Sequence, residues 1–182
     1  MRQREKRYAM VVDTRPCVAC KACVLACKAE NAVPDGYCRD WLVEVTEGVF
    51  PDLRQENRSE RCNHCSRPPC VAACPTGASH VNDGGTVLVT HHKCTGCKAC
   101  IAACPYGARY VHPDGYVDKC TFCLHRVREG RPPACVEVCP TGTLHFGDLN
   151  DPDSEVSVLL KTRRYKVLHP ETGCEPNVYF LL

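Results

Sequence analysis

The sequence predicts an α+β fold of short strands and short helices, and three observations carry that prediction. Cysteine supplies 18 of the 182 residues, far above ordinary usage, and most of these cysteines fall into four groups of four. Three groups end in one repeated design: Ala73-Cys74-Pro75-Thr76-Gly77-Ala78, Ala103-Cys104-Pro105-Tyr106-Gly107-Ala108 and Val138-Cys139-Pro140-Thr141-Gly142-Thr143. Short alternating segments separate the groups, with no long amphipathic runs.

Each element follows from local chemistry. Tyr8 to Asp13 enters the first cysteine group as a strand, and the Ala-rich Ala22 to Asn31 leaves it as a helix. Trp41 to Val45 is a further strand in the connection to the second group. Pro69 to Ala73 forms a second helix, and Ser79 to Val81 with Thr86 to Thr90 flank Asn82-Asp83-Gly84-Gly85 as a hairpin. In the repeated design, proline lacks an N–H and ends the helix carrying the cysteine, while glycine allows the left-handed turn after it. Asp151-Pro152 reads as the cap and first position of a helix running to about Arg164. Repetition on this scale indicates duplication.

The third group, Cys94, Cys97, Cys100 and Cys104 followed by Pro105, has the C-x2-C-x2-C-x3-C-P spacing of bacterial ferredoxins. At that spacing three thiolates surround one iron–sulfur cube, and the fourth reaches a second. Cys17, Cys20, Cys23 and Cys27 repeat the spacing with Lys28 in place of proline. Cys62, Cys65, Cys70 and Cys74 widen the middle gap, and Cys120, Cys123, Cys135 and Cys139 widen it further. These cysteines suffice for four [4Fe–4S] clusters and leave Cys38 and Cys174, expected to be buried free thiols. Structural zinc sites usually join two separated Cys-x-x-Cys pairs, which these triplets do not resemble. Disulfide scaffolds belong to short secreted chains, whereas Arg2, Arg4, Lys6 and Arg7 lead straight into Tyr8 without an apolar signal segment. Spacing alone leaves open whether the second group partners the third or the third partners the fourth.

Composition limits the function. With 44% hydrophobic and 7% aromatic residues the apolar core is small, so metal ligation should help hold the fold. The formal charge is +2, but each all-cysteine cube contributes about −2, so the loaded protein is acidic and nucleic-acid binding has no support. The basic start, Arg2 to Arg7, reads as a solvated tail. The strongest apolar run, Val156 to Leu160, is far too short to span a bilayer and is broken by Ser157. A soluble or peripheral protein is expected, and Arg163-Arg164 cannot be an export signal. His64 reads as a partly exposed loop histidine in preference to one that donates to cluster sulfur or relays protons near a quinone. Arg126, Arg128 and Arg131 read as either hydrated, or gripping a partner or raising the potential of a nearby cluster through their charge. No nucleophile-and-base pair, phosphate loop or flavin motif is visible, and fully ligated cubes leave no open iron for a substrate. The chain should therefore move electrons and perform no catalysis alone.

The four-group order, with Asp118-Lys119-Cys120-Thr121-Phe122-Cys123, Pro133-Ala134-Cys135-Val136-Glu137-Val138-Cys139-Pro140 and Phe146-Gly147-Asp148-Leu149, resembles the iron–sulfur electron-transfer subunit of complex molybdopterin oxidoreductases. Within that dimethyl sulfoxide reductase family it looks most like the polysulfide and thiosulfate reductase subunits. The resemblance implies a duplicated 2×[4Fe–4S] ferredoxin-like fold. One unit comprises residues 62–115, and another joins 1–37 with 116–145; 38–61 is an inserted connection and 146–182 a C-terminal extension for partner docking. It further implies four ligand sets: Cys17, Cys20, Cys23 with Cys139; Cys27 with Cys120, Cys123, Cys135; Cys62, Cys65, Cys70 with Cys104; and Cys74 with Cys94, Cys97, Cys100. The implied partners are a large molybdopterin catalytic subunit, carrying Mo- or W-bis-MGD, and an integral membrane anchor that reacts with quinone. The expected location is the outer face of the cytoplasmic membrane, reached with a partner bearing a twin-arginine signal, with the cytoplasm as the alternative. Two other readings are a component of a cytoplasmic hydrogenase or formate-oxidising complex and a free polyferredoxin.

Overall fold

A computed structural model describes residues 5–182. Arg2 and Arg4 of the expected basic tail lie outside the described residues. Arg7 is not part of a tail: its backbone N–H donates to Asp148 at 2.8 Å and its guanidinium to Asn177 at 2.7 and 2.9 Å.

Strand β1 (Tyr8–Asp13) forms as expected and is buried from Ala9 onward. Alternate side chains of a strand point to opposite faces, and both faces of β1 are covered. Met10 and Val12 join a core with Phe122, Phe180, Cys23, Cys62, Cys120 and Cys135. Val11 packs on the other side with Val156 and Leu181. The sheet around it has the order β8 (Leu144–Asp148), β1, β10 (Val178–Leu181), β9 (Tyr165–Lys166). β8 is antiparallel to β1, pairing Met10 with Phe146, and β10 is parallel, pairing Met10 with Val178. The stretch 146–182 thus lies inside this sheet, in addition to any docking surface it offers.

Helix α6 (Glu155–Thr162) covers the second face. It begins after Ser154, not at the expected Asp151-Pro152. The Asp151 carboxylate instead accepts from the Asp153 N–H at 3.0 Å, a local turn that competes with helix initiation. Among the described residues no helix is long and apolar enough to cross a membrane.

The expected strand at Trp41–Val45 is longer, β2 (Asp40–Val49), and pairs with an unexpected partner, β3 (Asp52–Arg61). The β3 sequence DLRQENRSER has no apolar alternation to reveal it. The ladder and polar side chains hold it instead, with Arg58 reaching Glu56 and Glu60 and Lys166 of β9 reaching Glu56 at 2.8 Å. The expected hairpin is present as β4 (Ser79–Asn82) and β5 (Thr86–Val89), and a smaller one joins β6 (Tyr110–Val111) to β7 (Val117–Asp118).

Helix α1 (Ala22–Glu30) and the single-turn helices α2 (Pro69–Ala72), α3 (Ala99–Ala102) and α5 (Ala134–Glu137) each carry cysteines, while α4 (Leu124–Arg128) directly follows Cys123. Helices this short are unstable alone in water. Their buried residues are largely cysteines: Cys23 and Cys27 in α1, Cys70 in α2, Cys100 in α3 and Cys135 in α5.

Candidate iron–sulfur centres

The cysteine loops turn on residues in the left-handed region, where non-glycine residues are uncommon. Ala19 (φ 52°) and Lys21 (φ 62°) shape the first loop, His64 (φ 41°) the second, Gly96 and Lys98 (φ 68° and 64°) the third, and Phe122 and Cys123 (φ 55° and 47°) the fourth. Such turns aim successive N–H groups at one point, which suits an anion. The cost in backbone strain has a chemical counterpart at the loop centre.

Two thiol quartets enclose visible cavities. Cys17, Cys20, Cys23 and Cys139, with Leu42 and Leu144, line one that is partly open to solvent. Cys62, Cys65, Cys70 and Cys104, with Tyr106 and Arg109, line another. Cys27 lies close enough to Cys120, Cys135 and Cys123 for all three to act on its thiol. Asn31 links two of them, with Nδ2 at 3.7 Å from Cys27 Sγ and 3.6 Å from Cys123 Sγ. Cys94 and Cys100 pack together beside Cys70 and Val117. Cys74 precedes β4 and accepts from the Ser79 N–H at 3.3 Å.

All 18 cysteines are free thiols, so no disulfide competes for them. Burial pushes Cys27 and Cys135 far up and lifts Cys65 and Cys120 to about 12. Left alone they would stay protonated; a bound cation centre is what turns such thiols into thiolates. Cys74 and Cys139 differ: against the upward push of burial, donors hold both below the ordinary thiol value. The repeated Cys-Pro-Thr-Gly design supplies those donors. Thr76 and Thr141 hydroxyls sit 3.7 Å from their cysteines, and the Ser79 and Thr143 N–H groups donate at 3.3 Å. Val117 N–H donates likewise to Cys94, and Phe122 N–H to Cys120, at 3.3 and 3.4 Å.

An iron–sulfur cluster fits this arrangement. Among the described residues no three or more His, Cys, Asp or Glu side chains converge as ligands of one ion, whereas zinc needs sulfurs about 2.3 Å from a single point. The thiols surround spaces instead. Buried donors on the arginines beside them also lack protein partners: Arg109 Nε and Nη1, and Arg61 Nε. Orphaned donors in apolar surroundings are costly, and inorganic sulfide would accept from them.

His64 corrects the expectation of a partly exposed loop. It is fully buried, its ring stacks on Phe122 with centroids 3.7 Å apart, and its Nδ1 accepts from the Val87 N–H at 3.1 Å. Burial, with Lys119, Arg109 and Arg61 nearby, holds it well below the ordinary histidine value, so the ring is neutral and its proton sits on Nε2. Cys174 is buried as expected, but Cys38 is exposed, because it lies in the irregular stretch between α1 and β2. Arg126 is neither hydrated nor free to grip a partner: it is buried and paired with Glu30 at 2.6 Å and with Glu137. Arg128 and Arg131 are exposed. Nothing in the local sequence marks Arg61, Arg109 or Lys119 as buried cations beside the thiols.

Residues 54–149 match the family model described as a 4Fe-4S dicluster domain, a span that holds the second, third and fourth cysteine groups. The chain is 41% identical to the B subunit of tetrathionate reductase from Salmonella typhimurium, covering 96% of this chain and 72% of that one. It is 44% identical to the NrfC homologue of Haemophilus influenzae, over 97% of this chain and 80% of the other. It is 35% identical to the arsenate respiratory reductase iron–sulfur subunit of Shewanella sp. strain ANA-3, over 96% of both. The chain belongs to the iron–sulfur B subunits of the molybdopterin reductases. Members of this family are electron-transfer subunits of multi-subunit reductases and not catalysts alone, and this chain carries [4Fe–4S] clusters, with cysteines for four.

Proposed function

We propose that this subunit relays electrons between a molybdopterin catalytic subunit and a quinone-reactive membrane anchor through four clusters in a row. The ligand sets are Cys17, Cys20, Cys23 and Cys139; Cys27, Cys120, Cys123 and Cys135; Cys62, Cys65, Cys70 and Cys104; and Cys74, Cys94, Cys97 and Cys100. Two ferredoxin-like units hold them, 62–115 and the union of 1–37 with 116–145, joined by 38–61 and extended by 146–182. When bound, each cluster supplies reversible storage of one electron.

One observation carries the proposal: exposure is confined to the two outer sets. Cys20 and Cys97 are exposed, whereas every thiol of the inner sets is buried except the half-buried Cys104. A wire with wet ends and a dry middle accepts charge from one partner and passes it to another. Buried inner thiols keep water from the middle, and the exposed loops bring the outer sets near a docked protein. The contacts of α1 with α5, and of β1 with β8, support the first unit. The pairing of β4 with β5 and of β6 with β7, together with the contact of α2 with α3, supports the second. By family likeness the first unit faces the catalytic subunit, and the complex sits at the outer face of the cytoplasmic membrane. Relatives are subunits of tetrathionate and arsenate respiratory reductases, and an oxyanion of sulfur or a related element is the substrate class we assign to the complex.

The deciding experiment is anaerobic isolation of the native complex with metal analysis and identification of its large subunit. About sixteen irons per copy of this chain, beyond those of its partners, and molybdenum or tungsten in the large subunit are expected. Nickel in the large subunit, or zinc in place of iron here, would overturn the reading. Fractionation of cells expressing the whole operon tests the location, and a complex left inside the cell would refute it.

A further inference from the structure

Three buried cations stand along the row of thiol sets, one at each junction. Arg61 is 1% exposed; its Nη1 lies 3.4 Å from Cys135 Sγ, and it also donates to the Ser59 hydroxyl, which is 3.5 Å from Cys23 Sγ. It therefore bridges the set containing Cys23 and the set containing Cys135. Lys119 is likewise 1% exposed, with its ammonium donating to the Cys120 carbonyl at 2.7 Å and to the Val87 carbonyl. It thus reaches from the Cys120 backbone to Val87, which packs with Cys70. It marks the seam between the two halves, where His64 of one cysteine loop stacks on Phe122 of another. Arg109 is 5% exposed; its Nη2 lies 2.8 Å from Cys70 Sγ, and Cys70 packs with Cys100.

These cations differ in what balances them. Arg61 has the buried Asp40 at 3.1 Å, a pair created by the β2–β3 register that sets the two residues opposite each other. Lys119 and Arg109 make no ion pair with any carboxylate among the described residues. A cation buried without an anion is strongly disfavoured. The anions within reach are thiolates and whatever they bind.

We propose that Lys119 and Arg109 are the fixed counter-charges of the clusters they stand between and hold their reduction potentials up, whereas Asp40 cancels Arg61 at the first junction. This assignment rests on the ligand sets proposed above. Reduction adds a negative charge, so an uncompensated cation close by stabilises the reduced form. Burial keeps salt from screening it. Lys119, at the seam, acts on the clusters of Cys120 and Cys70 together; Arg109 acts on those of Cys70 and Cys100. These residues position charge and touch no substrate.

The test is a redox titration of the anaerobically purified complex, followed by electron paramagnetic resonance, with iron counted on each sample. Lys119→Met lowers the midpoints of two clusters and leaves the other two unmoved; Lys119→Arg restores them. Arg109→Gln lowers two as well, sharing one with Lys119→Met. Asp40→Asn frees the Arg61 charge and moves potentials upward, the opposite sign. Unmoved potentials, or an equal shift of all four clusters, would overturn the charge assignment. If Lys119→Met does not assemble, the Arg109→Gln titration decides by the same criterion. Fewer than four clusters in the unmodified protein would instead overturn the ligand sets, so the two failures are separable.

Discussion

Replacing Cys104 with alanine probes whether a cluster takes its fourth thiolate from another cysteine group. Cys104 closes the third group in sequence, yet it lines a cavity with Cys62, Cys65 and Cys70 of the second. If that cavity holds a cube, the variant strips one of four thiolates from it and leaves Cys94, Cys97 and Cys100 untouched. Each thiolate holds one iron, so the loss is about one iron of sixteen if a three-iron cluster survives, and about four if the whole cube goes. The assay is iron analysis together with the paramagnetic signals of the reduced protein. The comparison needs no prior assignment of signals, because Cys62→Ala must damage the same signal as Cys104→Ala, and Cys97→Ala a different one. A shared lesion in the Cys104 and Cys97 variants would refute the crossed arrangement, and with it the row of four.

Three further outcomes follow. Arg39 donates through Nε and Nη2 to both oxygens of the buried Asp118, each at 2.8 Å, and Asp118→Asn leaves that guanidinium largely uncompensated. A loss of about 3 kcal/mol is expected in denaturant unfolding of the loaded protein. Gly96 sits at φ 68°, and a Cβ there would collide with the Gly115 carbonyl oxygen. Gly96→Ala should therefore cost about 2 kcal/mol or more and loosen the third cysteine loop first, seen as earlier bleaching of one cluster on heating. Arg15 and Arg163 hold the Asp13 carboxyl well below the usual carboxylate range, against the opposing effect of burial. Its stabilisation is complete above the unfolded value of about 4 and is lost as pH falls toward the depressed folded value. Asp13→Asn should thus cost about 1 kcal/mol at neutral pH, Arg15 being well exposed and its pair screened. The gap to the parent protein in melting experiments should be constant from pH 7 to 5 and close below about 4; a gap that widens in acid would contradict the pairing.

The cysteine spacing was sufficient to name the cofactor, because a cube needs thiolates at separations that a single tight loop provides. The strands at Tyr8 and Thr86 and the helix at Ala22 were equally legible, since each carries its own periodicity or composition. What the sequence could not settle are relations between residues far apart in the chain. β3 is polar and exists because β2 lies beside it. The C-terminal strand enters the sheet next to β1 because Val178 and Phe180 complete the core that Met10 and Val12 begin. His64 reads as a loop residue until the Phe122 ring covers it. The same holds for charge: along the chain Arg61, Lys119 and Arg109 are ordinary basic residues. Only the tertiary structure places them beside sulfur and pairs just one with a carboxylate, because burial and electrostatic balance are properties of the assembled interior.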